Sequence, residues 1–124
     1  MTQVIIGEDC GNSPKSILIQ ELTVAFAKGD ARFVLSKISE DIRWNIVGDT
    51  LIEGKTNVAE IFKSLEKTAK LTVDHIATHG KTGAVNGTRT LASGKTVGFC
   101  DIYEFSNAKA SAVKEITSYV IEIS

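Results

Sequence analysis

Apolar positions change their period about halfway along this chain, and that change divides it into a helical first part and a β-rich second part. Leu18, Leu22, Ala25 and Phe26 recur at i, i+4, i+7 and i+8, which makes one buried stripe on a helix. Ser13 stands where a helix takes its N-cap, and Pro14 falls at the first helical position, where a missing N–H costs nothing. Gly29 closes the helix and Asp30 can cap a second, whose stripe is Ala31, Val34, Leu35 and Ile38. A third helix is predicted from Asn57, with Glu60 three positions on in a capping-box arrangement and Val58, Ile61, Phe62 and Leu65 buried.

Between the second and third helices, residues 42–47 form a β-prone segment ended by Gly48-Asp49. After Lys70 the segments 71–79, 84–91, 96–105 and 112–123 are rich in Val, Ile, Thr, Tyr and Phe. They are separated by Gly80-Lys81-Thr82-Gly83, by Ser93-Gly94 and by residues 106–111, connections short enough only for antiparallel hairpins. The expected fold class is α+β, with three helices packed on a strongly curved antiparallel sheet and a pocket between them. Residues 1–12 are expected to be a poorly ordered N-terminal segment, and 13–124 one domain.

Composition narrows the function classes. A chain of 124 residues with 43% apolar content can bury one core without disulfides or a structural metal. Fourteen basic residues against 15 acidic ones leave no electrostatic footprint for a phosphate backbone or an anionic membrane, so neither nucleic acid nor membrane is an expected partner. Cys10 and Cys100 lack metal-site spacing and read as two free thiols in a reducing compartment. With no signal-peptide pattern and no apolar run near the ~20 residues that span a bilayer, the expected location is cytoplasmic. Gly80, Gly83 and Gly87 resemble a phosphate loop only superficially, since no helix follows them; they read as hairpin and bulge glycines.

The stretch Arg43-Trp44-Asn45-Ile46-Val47-Gly48, followed by Glu53-Gly54-Lys55, resembles a hallmark of the SnoaL-like branch of the nuclear transport factor 2-like superfamily, with Val47 where Pro is common. Phe99-Cys100-Asp101-Ile102-Tyr103-Glu104-Phe105 and the final strand resemble that superfamily's last hairpin. The resemblance implies a cone: a sheet wrapped around an apolar pocket, with helices closing its side. Members include ketosteroid isomerase, polyketide cyclases, limonene epoxide hydrolase, scytalone dehydratase and proteins that only bind or dimerise. Matched to ketosteroid isomerase, the base position falls on Asn45, the tyrosine position on Leu22 and the oxyanion-binding aspartate on Asp101. An amide cannot take the proton, so that isomerisation is not expected. Matched to limonene epoxide hydrolase, the Asp-Arg-Asp set falls near Ala84, Asn86 and Ser118, none of them charged.

Strand alternation puts Asp101 on one face with Phe99, Tyr103 and Phe105, where burial should raise a carboxyl's pKa and suit it to donate a proton. The alternative is a structural aspartate satisfied by a neighbouring hydroxyl or N–H, such as the Trp44 indole. Asn45 and Trp44 are expected to line the pocket, with Tyr103 and Asn86, the latter on a polar stripe with Thr88 and Thr90. His75 is the candidate base, or else a sheet-surface histidine. On a strand His75 and His79 stand about 13 Å apart, so no metal is expected to bridge them, and no cofactor is implied. Cys100, Ile102 and Tyr119 on the opposite face suggest a homodimer through the sheets. The expected function is binding of a small, partly apolar organic molecule, with acid–base chemistry of isomerase, cyclase or hydrolase type. The alternative is a ligand-binding or dimerisation module without chemistry.

Overall fold

A computed structural model describes residues 2–106 and 112–124. Three helices and seven strands follow in the order β1 (Gln3–Asp9), α1 (Pro14–Lys28), α2 (Ala31–Lys37), β2 (Ile38–Ile46), β3 (Thr50–Glu53), α3 (Lys55–Ile61), β4 (Thr68–His79), β5 (Thr82–Leu91), β6 (Thr96–Phe105) and β7 (Val113–Glu122). The expected 106–111 turn lies, apart from Ser106, outside the described residues. No helix among the described residues is long and apolar enough to cross a membrane.

The helix signals act where the residues place them. Ser13 Oγ accepts the Ser16 N–H at 3.1 Å, and Gly29 takes the left-handed conformation (φ 72°) that ends α1. Asp30 caps α2 through the Phe33 N–H. The third helix begins earlier than the capping-box reading predicts: Gly54 is its N-cap, and Asn57 instead donates its side-chain amide to Glu53 O at 2.8 Å. Glu60 is free of the cap and pairs with Lys63 at 3.0 Å.

All seven strands form one sheet in the order β1-β4-β5-β6-β7-β2-β3. The β4–β5–β6–β7 hairpins are antiparallel, as their short connections require, while β1 joins β4 and β2 joins β7 in parallel. Within the N-terminal segment, Gln3–Asp9 forms a strand on the edge of the sheet. Val4, Ile5 and Ile6 give it strand propensity, and its partner lies more than sixty residues away in β4, beyond the reach of local pattern. β3, only four residues long, also escapes a reading by periodicity.

One face of this sheet carries the core. α1 lies across β4 and β5, and Ile19 packs so closely on Gly83 that a Cβ there would come 2.2 Å from its side chain. Ile19, Leu22, Val34, Ile42, Leu71, Val73, Val85, Tyr103, Phe105 and Val113 are sealed from solvent. A bulge between Val73 and His75 bends β4 where it faces Gly87. A Cβ on Gly87 would stand 2.0 Å from Thr72 O and 3.1 Å from the Phe99 ring, so only glycine fits between that bulge and that ring.

Candidate functional site

Cross-strand register decides which side chains meet. One inward row runs Ile76–Val85–Asp101–Ser118–Ile46 across β4, β5, β6, β7 and β2. The next runs Gly83–Tyr103–Ile116–Trp44–Ile52. Where these rows pass under α1 they leave a cavity of about 210 Å³. Its walls are Thr23, Phe26 and Ala27 from α1, Trp44 and Ile46 from β2, Arg89 from β5, and Phe99, Asp101 and Tyr103 from β6. Ile116, Ser118 and Val120 of β7 complete the floor, with Asp49 and Leu65 also on the lining.

The polar groups in this cavity form a connected line. Trp44 donates its indole N–H to Ser118 Oγ at 2.9 Å, and the Ser118 hydroxyl in turn hydrogen-bonds Asp101, its partner in the ladder. Burial pushes the Asp101 carboxyl above its ordinary value, against the opposing pull of the Ser118 bond and the Arg89 charge. Tyr103 is fully buried, and burial, with the nearby Asp101 charge adding to it, drives its phenol well above the usual range. Its hydroxyl lies near that of Thr23, which itself donates to Ile19 O at 2.7 Å, but makes no hydrogen bond of regular geometry.

Arg89 is held differently. Its guanidinium stacks 5.5 Å above the Phe99 ring and has no carboxylate within 4 Å among the described residues. Burial pulls it down and the Asp101 charge holds it up; a guanidinium starts so far above neutrality that it keeps its proton. Phe26 completes an aromatic wall, 5.0 Å from Trp44 and 5.4 Å from Phe62 between ring centres.

Three of the residues picked out in the sequence, Asp101, Tyr103 and Trp44, meet in this cavity. Three do not. Asn45 is exposed on the other face, because Trp44 points inward and successive strand residues alternate. His75 is also outside: Leu71 and Val73 face the core, and the bulge after Val73 reverses the alternation, leaving the imidazole 64% exposed. There its Nδ1 meets Asn86 Oδ1 at 3.0 Å and its Nε2 lies 3.9 Å from Asp9. Asn86 shares that outer row, so the stripe of Asn86, Thr88 and Thr90 does not line the pocket.

Arg89, Ser118, Asp49 and Thr23 line the cavity without having been singled out as site residues. The signal for Arg89 was available, since it continues the inward alternation of Val85 and Gly87. The epoxide hydrolase comparison is also altered. Ala84 and Asn86 point outward, but an arginine and an aspartate, Arg89 and Asp101, do face the cavity from adjacent strands. Among the described residues no three His, Cys, Asp or Glu side chains gather into a metal-binding group.

A curved sheet closed by helices around a side pocket defines a cone of the nuclear transport factor 2-like class. The chain belongs to the SnoaL-like domain family, whose sequence model matches residues 19–113. Among solved structures it is similar to a nuclear transport factor 2-like protein of unknown function from Cytophaga hutchinsonii, with 28% identity over 85% of this chain and 97% of that one, at a TM-score of 0.67. It shares the fold of a limonene epoxide hydrolase-like epoxide hydrolase from M. tuberculosis, with 15% identity over 85% and 80% of the two chains and a TM-score of 0.72. It likewise shares the fold of SalBIII, an epoxide hydrolase/cyclase-like enzyme of pyran ring formation in the polyether salinomycin, with 15% identity over 86% of this chain and 90% of that one and a TM-score of 0.72. No curated protein matches the chain by sequence.

The raised pKa of Asp101 has a consequence for stability. The folded chain holds this proton more tightly than the unfolded chain, so the resulting stability is complete below the unfolded value, about 3.9, and is lost as pH climbs through the folded one. Asp101→Asn, which cannot ionise, should therefore gain on the wild type as pH rises from about 4 to about 8. Urea unfolding at both pH values measures this; a variant-minus-wild-type stability that stays constant or falls with pH would contradict the buried-acid assignment.

Proposed function

We propose that the protein binds a small, partly apolar organic molecule in this cavity and that Asp101 supplies a proton or hydrogen bond to it. The observation that carries the reading is a carboxyl raised by burial and facing an aromatic-walled cavity of about 210 Å³. A dry cavity of about 150 Å³ accepts a benzene ring, so this one suits a single substituted ring or a branched chain of similar bulk. The Trp44–Ser118–Asp101 line fixes the acid, and Asp49 is a second carboxyl on the lining. Acid–base chemistry without a cofactor, of the isomerase, cyclase or hydrolase type, needs no group beyond these. The epoxide hydrolase and cyclase-like names among the fold relatives support that class.

The deciding experiment pairs a screen of small cyclic ketones, epoxides and enols with the Asp101→Asn variant. Turnover that disappears in a variant retaining wild-type ligand affinity supports catalysis. Affinity lost without any turnover in the wild type supports a carrier. Ligands that bind without perturbing the cavity residues in NMR spectra would overturn the pocket reading.

A homodimer through the outer sheet face is part of this proposal. Ile102, Tyr119 and Ile121 are 37%, 48% and 68% exposed there, and apolar area of this kind is best covered by a second sheet. Both cysteines are free, which suits the reducing cytoplasm. Sedimentation equilibrium should give a dimer that Tyr119→Glu weakens at least about tenfold in Kd; a wild-type monomer at high micromolar concentration would rule this out.

A further inference from the structure

Two hydrogen-bond donors face the cavity without a protein acceptor, and they belong to different strands. The Tyr103 hydroxyl is fully buried and unpartnered, and Arg89, half-buried, meets an aromatic face where a carboxylate would be expected. A buried donor left unpaired costs about 1–3 kcal/mol, so such groups are normally satisfied by something. Asp101 does not serve. No Arg89 nitrogen comes within ion-pair distance of its carboxyl, and the Tyr103 hydroxyl makes no hydrogen bond to it.

The charge balance points the same way. Arg89 is the one cation among the described lining residues. Of the two acids on the lining, Asp49 is exposed and neither carboxylate lies within ion-pair distance of Arg89. The guanidinium thus offers the cavity five N–H donors in a planar fork without a paired carboxylate. Arg89 and Tyr103 line the same cavity from the adjacent strands β5 and β6, so one ligand can contact both. Gly87 contributes by its lack of a side chain: a Cβ there would crowd the Phe99 ring that carries the guanidinium, at 3.1 Å.

From this arrangement we infer that the ligand is a small organic carboxylate, its two oxygens accepting hydrogen bonds from Arg89 and from the Tyr103 hydroxyl. Its hydrocarbon part lies against Trp44, Phe26 and Ile116. This rests on the pocket reading above and adds the class of molecule. A carboxylate matches the guanidinium fork with two parallel bonds, whereas a neutral ketone or epoxide offers one oxygen and leaves the charge uncompensated.

The test uses the only tryptophan of the chain, Trp44, as a reporter in the cavity wall. Its fluorescence is titrated at neutral pH with cyclohexanecarboxylate and with cyclohexanecarboxamide, which has the same shape and no charge. The carboxylate should bind at least about tenfold more tightly than the amide. Arg89→Gln should bring the carboxylate's Kd to that of the amide, and Tyr103→Phe should remove a smaller part of the preference. Equal affinity of the two probes for the wild type overturns the carboxylate inference and leaves the pocket reading standing. Failure of both to perturb Trp44 overturns the pocket reading as well. The wild-type comparison needs no variant, so it decides the matter even if Arg89→Gln fails to fold.

Discussion

The hydrogen bond from the Trp44 indole to Ser118 ties the β2 half of the sheet to the β6–β7 hairpin, and the site depends on it. It exists because β2 pairs in parallel with β7, setting Trp44 beside Ile116 and two residues from Ser118 on the same face. β6 then presents Asp101 opposite that serine. Without the parallel pairing the indole would need another acceptor, the serine would lose its place between a donor and an acid, and Asp101 would face the aromatic stripe alone. A buried indole N–H without an acceptor costs about 1–3 kcal/mol, enough to matter to a domain of this size.

The same line accounts for the balance of charge in the cavity. Ser118 accepts from Trp44 and gives its own proton to Asp101, so it moderates the cost of burying that carboxyl without cancelling it. Arg89, held on Phe99 away from direct contact, also moderates it from a distance. The outcome is an acid with a raised pKa near a permanent cation, a pairing suited to receiving a ligand with negative charge or one that develops it.

Much of the fold was legible in the chain. Ser13, Pro14, Gly29 and Asp30 mark helix ends through local hydrogen bonding, and local chemistry is what a sequence shows best. The β6 limits, Thr96–Phe105, were legible too, because turn residues flank an alternating run. What escaped was non-local: the parallel docking of β1 on β4 and of β2 on β7, and the short β3. Local signals can also compete, as at α3, where Asn57 matches a cap but Gly54, three residues earlier, starts the helix.

The site divides in the same manner. Asp101 and Tyr103 followed from alternation along one uninterrupted strand. His75 was misplaced because a bulge with no mark of its own in the sequence reverses the alternation, and Asn45 because family matching was taken over the parity that Trp44 imposes. The inward side of Arg89 follows from the alternation of Val85 and Gly87, whereas its place over Phe99 depends on the register of β5 against β6. The central claim is that this framework holds Asp101 as a buried acid at the floor of the cavity. Its most direct test is an NMR pH titration of the Asp101 side-chain carboxyl carbon in the unliganded protein. The account predicts a midpoint above the ordinary aspartate value of about 3.9, rising further in Ser118→Ala; a midpoint at or below that value would contradict it.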